Sequence, residues 1–325
     1  MTTTSMSRGT VGKSALRHFV TDNALVLVLY GALVVAFAGL AYYSPTFRSA
    51  ANLWTLARQC AIPGIIATAQ TIIILSGGID LSVASLVTLI SLLCAGLMDS
   101  KPDRMVWVAG LMLLIGLAVG LFNGLVVTRG NVPPFIATLG TALILQGAGL
   151  AYTTVPKGGI PTVMGDALYY GTWWSIPHPL FILAVIFGLA VFVLSKTSFG
   201  RAIYAVGGNP EVAHRSGIKV RQTRLTVYCL GSFLVALAAL MTTARMGIGD
   251  PLAGMGMELD SITAVVLGGT SLFGGRGNLF GTLAGVIILT LINNVMVILG
   301  VNVFYQQLIK GTVVLLVVAI YKQRA

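Results

Sequence analysis

Charge is what this sequence has least of. Only 9% of its 325 residues are Asp, Glu, Lys or Arg, against about 25% in an average soluble domain. A soluble fold so poor in charge would expose broad apolar patches, which excludes an ordinary soluble domain. Cysteine and histidine are scarce too, at three each. Cys60, Cys94 and Cys229 stand singly in apolar surroundings with no CxxC spacing, so neither a disulfide framework nor a zinc site is implied. They read as small apolar packing residues. His18, His178 and His214 are scattered along the chain. They supply no nucleophile–base pair and no metal cluster, so no catalytic residue and no metal ligand is expected. Nine acidic residues face 20 basic ones. The basic residues gather on no soluble face, and nucleic acid is not an expected partner.

What replaces charge is a series of long uncharged stretches rich in Leu, Ile, Val, Ala and Gly, 56% hydrophobic overall. A spanning helix needs roughly 17–25 apolar residues. The stretches lack the strict alternation of barrel strands, so the expected fold is all-α and polytopic, with about ten transmembrane helices. Spans are expected at 24–43, 53–75, 81–98, 106–127, 134–153, 177–195, 225–244, 260–273, 279–299 and 304–321. Residues 1–22 read as a polar cytoplasmic tail and 23–325 as a single membrane domain. The first apolar run is longer than the 7–15 residues of a signal-peptide core, so it reads as an uncleaved first span. "GTVGKS" (9–14) looks like half a phosphate loop. The glycine the full pattern needs at position 7 is Ser7, and no strand precedes it, so the chain is expected to bind no ATP.

Ten spans with the N-terminus inside put both termini in the cytoplasm. Thirteen of the 20 basic residues, among them Arg129, Lys196, Arg201, Arg215 and Arg276, then fall on the inside. That bias is the one that sets orientation in a bacterial inner membrane. It also accounts for the basic balance without nucleic acid. Trp173 and Trp174, in the outer loop 154–176, suit an interfacial belt.

Two segments interrupt the spans with glycine: "ILSGGIDLS" (74–82) and "AVVLGGTSLFGGRGN" (264–278). Gly77 and Gly78 in the first, and Gly268, Gly269, Gly274 and Gly275 in the second, are candidates for a translocation pathway, because interrupted helices mark such pathways. Both fall on the same side of this topology, which is not what a simple inverted repeat requires; either the match is a coincidence or the span boundaries are misplaced. Asp80 and Asn278 suit N-caps of the helices that follow. Asp80 reads either as that cap, near the cytoplasmic surface, or as a functional intramembrane charge. Gln70, Asn123, Gln146, Asn293 and Asn294 also lie within spans. Their amides suit the hydroxyls of a solute or hydrogen bonds between helices. Lys310 in the last span either snorkels to the interface or faces the pathway.

One stretch breaks the oily pattern. "GRAIYAVGGNPEVAHRSGIKVRQTR" (200–224) carries five basic residues and one acid. Within it Asn209 suits an N-cap and Pro210 the first helical position. Glu211 suits the positive end of the helix dipole, His214 and Arg215 the negative end. Gly217 suits the left-handed residue that ends a helix. The spacing predicts about two turns, ~10 Å long, exposed in the cytoplasm and marginal alone. Such a helix docks into a partner's groove; the plainer alternative is an ordinary positive-inside loop.

The chain resembles the permease subunits of bacterial ABC-type importers for ribose, xylose and similar monosaccharides. The stretches that carry the resemblance are "IILSGGIDLSVAS" (73–85), "FNGLVVTRGNVPPFIATLGTALILQG" (122–147), "GRAIYAVGGNPEVAHRSGI" (200–218), "ELDSITAVVLGGTSLFGGRGNLFGTLAG" (258–285) and "NNVMVILGVNVFYQQLIKG" (293–311). They follow one another in order over nearly the whole chain. The resemblance implies that Asn209, Pro210, Glu211 and Ala213, with His214 and Gly217 nearby, form a coupling helix in the loop 196–224. His214 stands where a second small residue is usual. It further implies a partner ATPase with two nucleotide-binding domains that holds ATP and Mg, a second permease copy or paralogue, and a periplasmic or extracellular sugar-binding protein. Membrane lipid is the remaining expected partner, and no cofactor is expected on the chain itself. Two other classes compete. A self-sufficient secondary transporter or channel for a small polar solute would want an intramembrane carboxylate for ion coupling, and Asp80 is the one candidate. A membrane-embedded enzyme would need a catalytic cluster that the sequence does not offer.

Overall fold

The computed structural model describes residues 24–302, 304–309, 311, 312 and 315. The tail 1–22, Lys310 and half of the tenth expected span lie outside the described residues. Eleven helices carry the described fold. They are α1 (Ala24–Tyr43), α2 (Ala50–Leu75), α3 (Val83–Met98), α4 (Met105–Thr128), α5 (Pro134–Tyr152), α6 (His178–Lys196), α7 (Ser198–Gly208), α8 (Pro210–Arg215), α9 (Val220–Met246), α10 (Met257–Leu267) and α11 (Leu279–Ile298). Seven of them (α1, α2, α4, α5, α6, α9 and α11) are long and apolar enough to cross a membrane. The chain is an all-α polytopic membrane protein.

The bundle is organised around α2, which packs against α6, α9, α10 and α11 and is buried along most of its length. The outer helices turn apolar side chains outward, among them Val35, Leu114, Ile144 and Val185. Lipid rather than water solvates such faces. Between helices in lipid, small residues and polar pairs hold the contacts. On α4, Gly116, Gly120 and Gly124 form a four-residue stripe against α9. A methyl group at Gly120 would lie 2.5 Å from the Tyr228 carbonyl oxygen and 2.8 Å from Cys229 Cα, so the two backbones touch. Across α2 and α11, the Thr71 and Thr282 hydroxyls are 2.9 Å apart. Asn52 and Asn294 exchange amide hydrogen bonds at 3.3 and 3.0 Å.

The expected spans match these helices closely, with one clear difference. The span expected at 260–273 is shorter and ends at Leu267. The chain then runs without helix to Asn278, with Gly269, Gly274, Gly275 and Gly277 at positive φ, and Gly268 lies against the backbone of Gly281 near the start of α11. At the same end of the bundle the chain between α2 and α3 is also non-helical. At the opposite end Trp173 and Trp174 lie on a small hairpin of β1 (Thr172–Trp173) and β2 (Ile176–Pro177), with Trp174 exposed.

Candidate functional site

The basic break forms the helix its punctuation predicts. The Asn209 side chain accepts the N–H groups of Glu211 and Val212 at 3.0 and 3.1 Å, and Pro210 opens α8. At the other end Gly217 takes φ +83°. The Ile218 N–H returns to the Ala213 carbonyl at 3.0 Å and the Gly217 N–H to that of His214, which closes the last turn. Ala213 is 3% exposed and is the inward face of α8, which rests on α7 and the start of α9. Glu211, Val212, His214 and Arg215 face outward. Glu211 and Arg215 pair at 3.0 Å across one turn. An exposed pair of this kind contributes only about 0.3–0.5 kcal/mol, so packing of Ala213 and the two caps set the helix in place.

Immediately behind α8, three glycine pairs distant in sequence converge. Gly207 lies so close to the Leu75 carbonyl oxygen that a methyl group would overlap it, and the same oxygen accepts the Gly275 N–H at 3.0 Å. Gly275, with φ +71°, would place a methyl group 2.6 Å from Gly208 Cα; one on Gly274 would lie 2.8 Å from the Gly77 nitrogen. Both positive-φ conformations and both approaches require the missing side chain. Tyr204 on α7 adds a tie, donating to the Gly277 carbonyl at 3.0 Å. The two interrupted segments therefore meet each other at the root of α8. Gly269 and Gly268 lie farther back, where α10 gives way to the loop.

Asp80, two residues beyond Gly78, is 1% exposed, so its carboxylate is covered by the bundle. Its Oδ1 accepts the Ser82 N–H at 2.8 Å and the Ser82 hydroxyl at 2.6 Å. It therefore closes a turn onto Ser82 just ahead of α3 rather than capping the helix, whose N-cap position is Ser82 with no side-chain cap bond. The Ser82 hydroxyl accepts from Asn123 Nδ2 at 3.0 Å, and Thr141 donates to Asn123 Oδ1 at 2.6 Å. Thr138 accepts the Leu81 N–H and donates toward the Ile79 carbonyl. This network ties the non-helical segment to α4 and α5. Gly78 gives room for the Tyr228 hydroxyl, which donates to the Ile79 carbonyl at 3.4 Å. Ser82, Thr138 and Thr141 were not singled out from sequence. The i, i+3 spacing of the two threonines in "PFIATLGT" is the signal that points to them.

The remaining candidates separate. Gln70 is fully buried in α2, with neither amide atom hydrogen-bonded among the described residues. Asn294 is committed to Asn52. Asn293, its neighbour, lines a cavity at the end of the bundle opposite α8. Gln146 lies on the exposed face of α5, away from the Asp80 network. Asn278 caps α11, accepting the Gly281 N–H at 2.7 Å.

Residues 52–318 match the family model described as branched-chain amino acid transport system / permease component. Among curated proteins, the ribose import permease protein of Bacillus subtilis is 43% identical over 87% of this chain and 88% of its own length. Its counterpart of Escherichia coli K12 is 40% identical over 89% and 91%. The xylose transport system permease protein of Haemophilus influenzae is 33% identical over 90% and 94%. No solved structure matches the chain.

Proposed function

Since the chain belongs to the family of branched-chain amino acid transport system permease components, we propose that it is the membrane-spanning subunit of an ATP-driven importer. Its cargo is a monosaccharide or a related small polar solute. The observation that carries the coupling part of this reading is the seating of α8. An exposed, doubly capped helix stands directly on a backbone junction where both interrupted segments of the bundle meet.

The reading assigns each part a task. A separate ATPase, holding ATP and Mg on its two nucleotide-binding domains, docks on the outward side chains of α8. A second copy or a paralogue completes the membrane unit, and a sugar-binding protein delivers solute at the opposite end. The α8 end faces the cytoplasm, with both termini inside. When the ATPase closes, it displaces α8. The glycine junction has no side chains to absorb the movement, so it passes to the segments 76–82 and 268–278. The bundle then exchanges between outward-open and inward-open forms, and ATP must favour one of them by several kcal/mol to switch the population. Asp80 is the residue on which an ion-coupled transporter would rest. Its hydrogen bonds to Ser82 give it a structural task that needs no ion, and this favours the importer.

The test is ATP hydrolysis in nanodiscs by the chain assembled with its candidate ATPase. Sugar-loaded binding protein raises hydrolysis in the wild type. Glu211→Arg loses both the bound ATPase and the stimulation. A wild-type chain that neither binds the ATPase nor responds, but takes up sugar with an ion gradient, overturns the proposal.

A further inference from the structure

We propose that the cavity at the end of the bundle opposite α8 is a resting site for one uncharged, hydroxyl-rich solute. The inference rests on the importer reading and adds the place and chemistry of the cargo site. The cavity measures about 410 Å³ and is walled by the middle of α2, the start of α10 and the second half of α11. That volume is at the small end of ligand sites, which run roughly from 300 to 1,000 Å³. It reaches inward to Ile66, Ala264 and Val286. There the packed residues Ala67, Ile74 and Val265 lie between it and the α8 end. The cavity is thus open away from α8 and closed toward it.

Its walls are rich in acceptors. The hydroxyl protons of Ser261, Thr263 and Thr290 are spent on the backbone carbonyls of Glu258, Leu259 and Val286 at 2.8, 2.6 and 2.8 Å. Each oxygen keeps lone pairs for a solute. Pro63 has no N–H to give the Gln59 carbonyl one turn back. Asn293 lines the cavity, and its Oδ1 is buried without a hydrogen-bond partner among the described residues. A buried acceptor left unmade is costly, and a turn of this side chain toward the cavity offers it to a solute hydroxyl. Two charged residues also line the cavity, and helix electrostatics accounts for both. Arg245 lies in the last turn of α9 and Asp260 in the first turn of α10, each at the dipole end that favours its sign. Acceptors without net charge suit a polyol, each of whose hydroxyls donates. An amino-acid carboxylate would find Arg245 as its one cationic partner on the lining.

The test places a reporter thiol at Val297, on the cavity wall, after replacing Cys60, Cys94 and Cys229 with alanine. The chain is assembled with its ATPase in nanodiscs and treated with a methanethiosulfonate reagent. D-ribose, D-xylose, L-arabinose or L-leucine is present in turn at high concentration. The expected result is that at least one sugar slows labelling about fivefold, that L-leucine does not, and that adding Asn293→Leu removes the protection. A cysteine at Trp174, exposed on the hairpin at the same end of the bundle and off the cavity lining, reports labelling that solute does not change. Equal labelling with and without every sugar, protection by L-leucine alone, or protection that survives Asn293→Leu overturns the proposal. ATP-driven uptake by the same preparation reports separately on the importer reading, so either can fail without the other.

Discussion

The backbone N–H of Gly275 donates to the carbonyl oxygen of Leu75 at 3.0 Å. Gly207 presses on that same oxygen from the side of α8. One carbonyl therefore joins three stretches of chain: the end of the central helix, the loop before α11, and the residues that lead into the exposed helix. Backbone-to-backbone contact of this kind has no rotamer to adjust, so a shift in one stretch must displace the others.

That contact makes neighbouring glycines unequal. Gly207→Ala forces a methyl group onto the Leu75 carbonyl, an overpacking of about 1–3 kcal/mol. Gly208→Ala meets nothing within 4 Å. In proteoliposomes holding the chain and its ATPase, Gly207→Ala lowers ATP-driven uptake about tenfold, whereas Gly208→Ala transports as the wild type does. Equal uptake by the two variants would show that the junction does not transmit movement.

Docking and folding separate at Glu211. Its pair with Arg215 is exposed, so Glu211→Arg costs the folded chain less than about 0.5 kcal/mol and leaves its apparent melting temperature in detergent almost unchanged. The amount of ATPase that co-purifies falls about tenfold, because a positive charge now occupies the first turn of the docking helix. A variant that melts early and still holds its ATPase would contradict this division.

The buried turn that Asp80 closes onto Ser82 makes it a question of acceptor against charge. Asp80→Ala leaves the Ser82 N–H without its buried acceptor, at a cost of about 1–3 kcal/mol. Asp80→Asn keeps an acceptor oxygen and loses only the charge-assisted part of the bond. Melting curves in detergent place Asp80→Asn between wild type and Asp80→Ala. Were Asp80→Asn as damaging as Asp80→Ala, the charge itself would be the required property.

The reciprocal amides of Asn52 and Asn294 form a thermodynamic cycle. Asn52→Leu leaves the Asn294 amide without its partner, Asn294→Leu leaves Asn52 Nδ2 only its bond to the Phe47 carbonyl, and the double variant removes both amides. Coupling of about 0.6–1.7 kcal/mol is expected, the range found for hydrogen bonds between helices in membranes. It is read from unfolding of the two single variants and the double variant in mixed micelles. Additive losses would mean that the pair contributes no interaction of its own.

How far the sequence reaches is clearest at two adjacent residues. Asn293 and Asn294 are indistinguishable as a dipeptide, yet one faces a cavity and the other closes a helix–helix contact. Adjacent positions on a helix point about 100° apart. Only the arrangement of neighbouring helices decides which amide meets a partner. Local chemistry was readable where it is self-contained. Asn209, Pro210 and Gly217 specify both ends of α8, and most span limits follow from apolar length. The stripe of Gly116, Gly120 and Gly124 was open to reading by its four-residue spacing. The meeting of Gly77, Gly207 and Gly275 was not, because each glycine pair looks like an ordinary loop until the other two are placed against it. Asp80 shows the same limit: its sequence suits a cap of α3, but the fold turns its carboxylate onto Ser82 ahead of the helix.

The brevity of α10 bears on how the chain is made. Eleven residues of helix reach about 16 Å, roughly half the hydrocarbon thickness, and the first turn carries Glu258 and Asp260. Such a segment cannot partition into lipid by itself as it leaves the ribosome. Its apolar face is matched by α2 and α11, the one synthesised long before it and the other just after. α10 must therefore wait outside the bilayer until α11 emerges, and the two enter together as a hairpin against an α2 already in place. Biogenesis of this protein has a late, obligatory pairing step, and a nascent chain cut short before Leu279 leaves α10 uninserted.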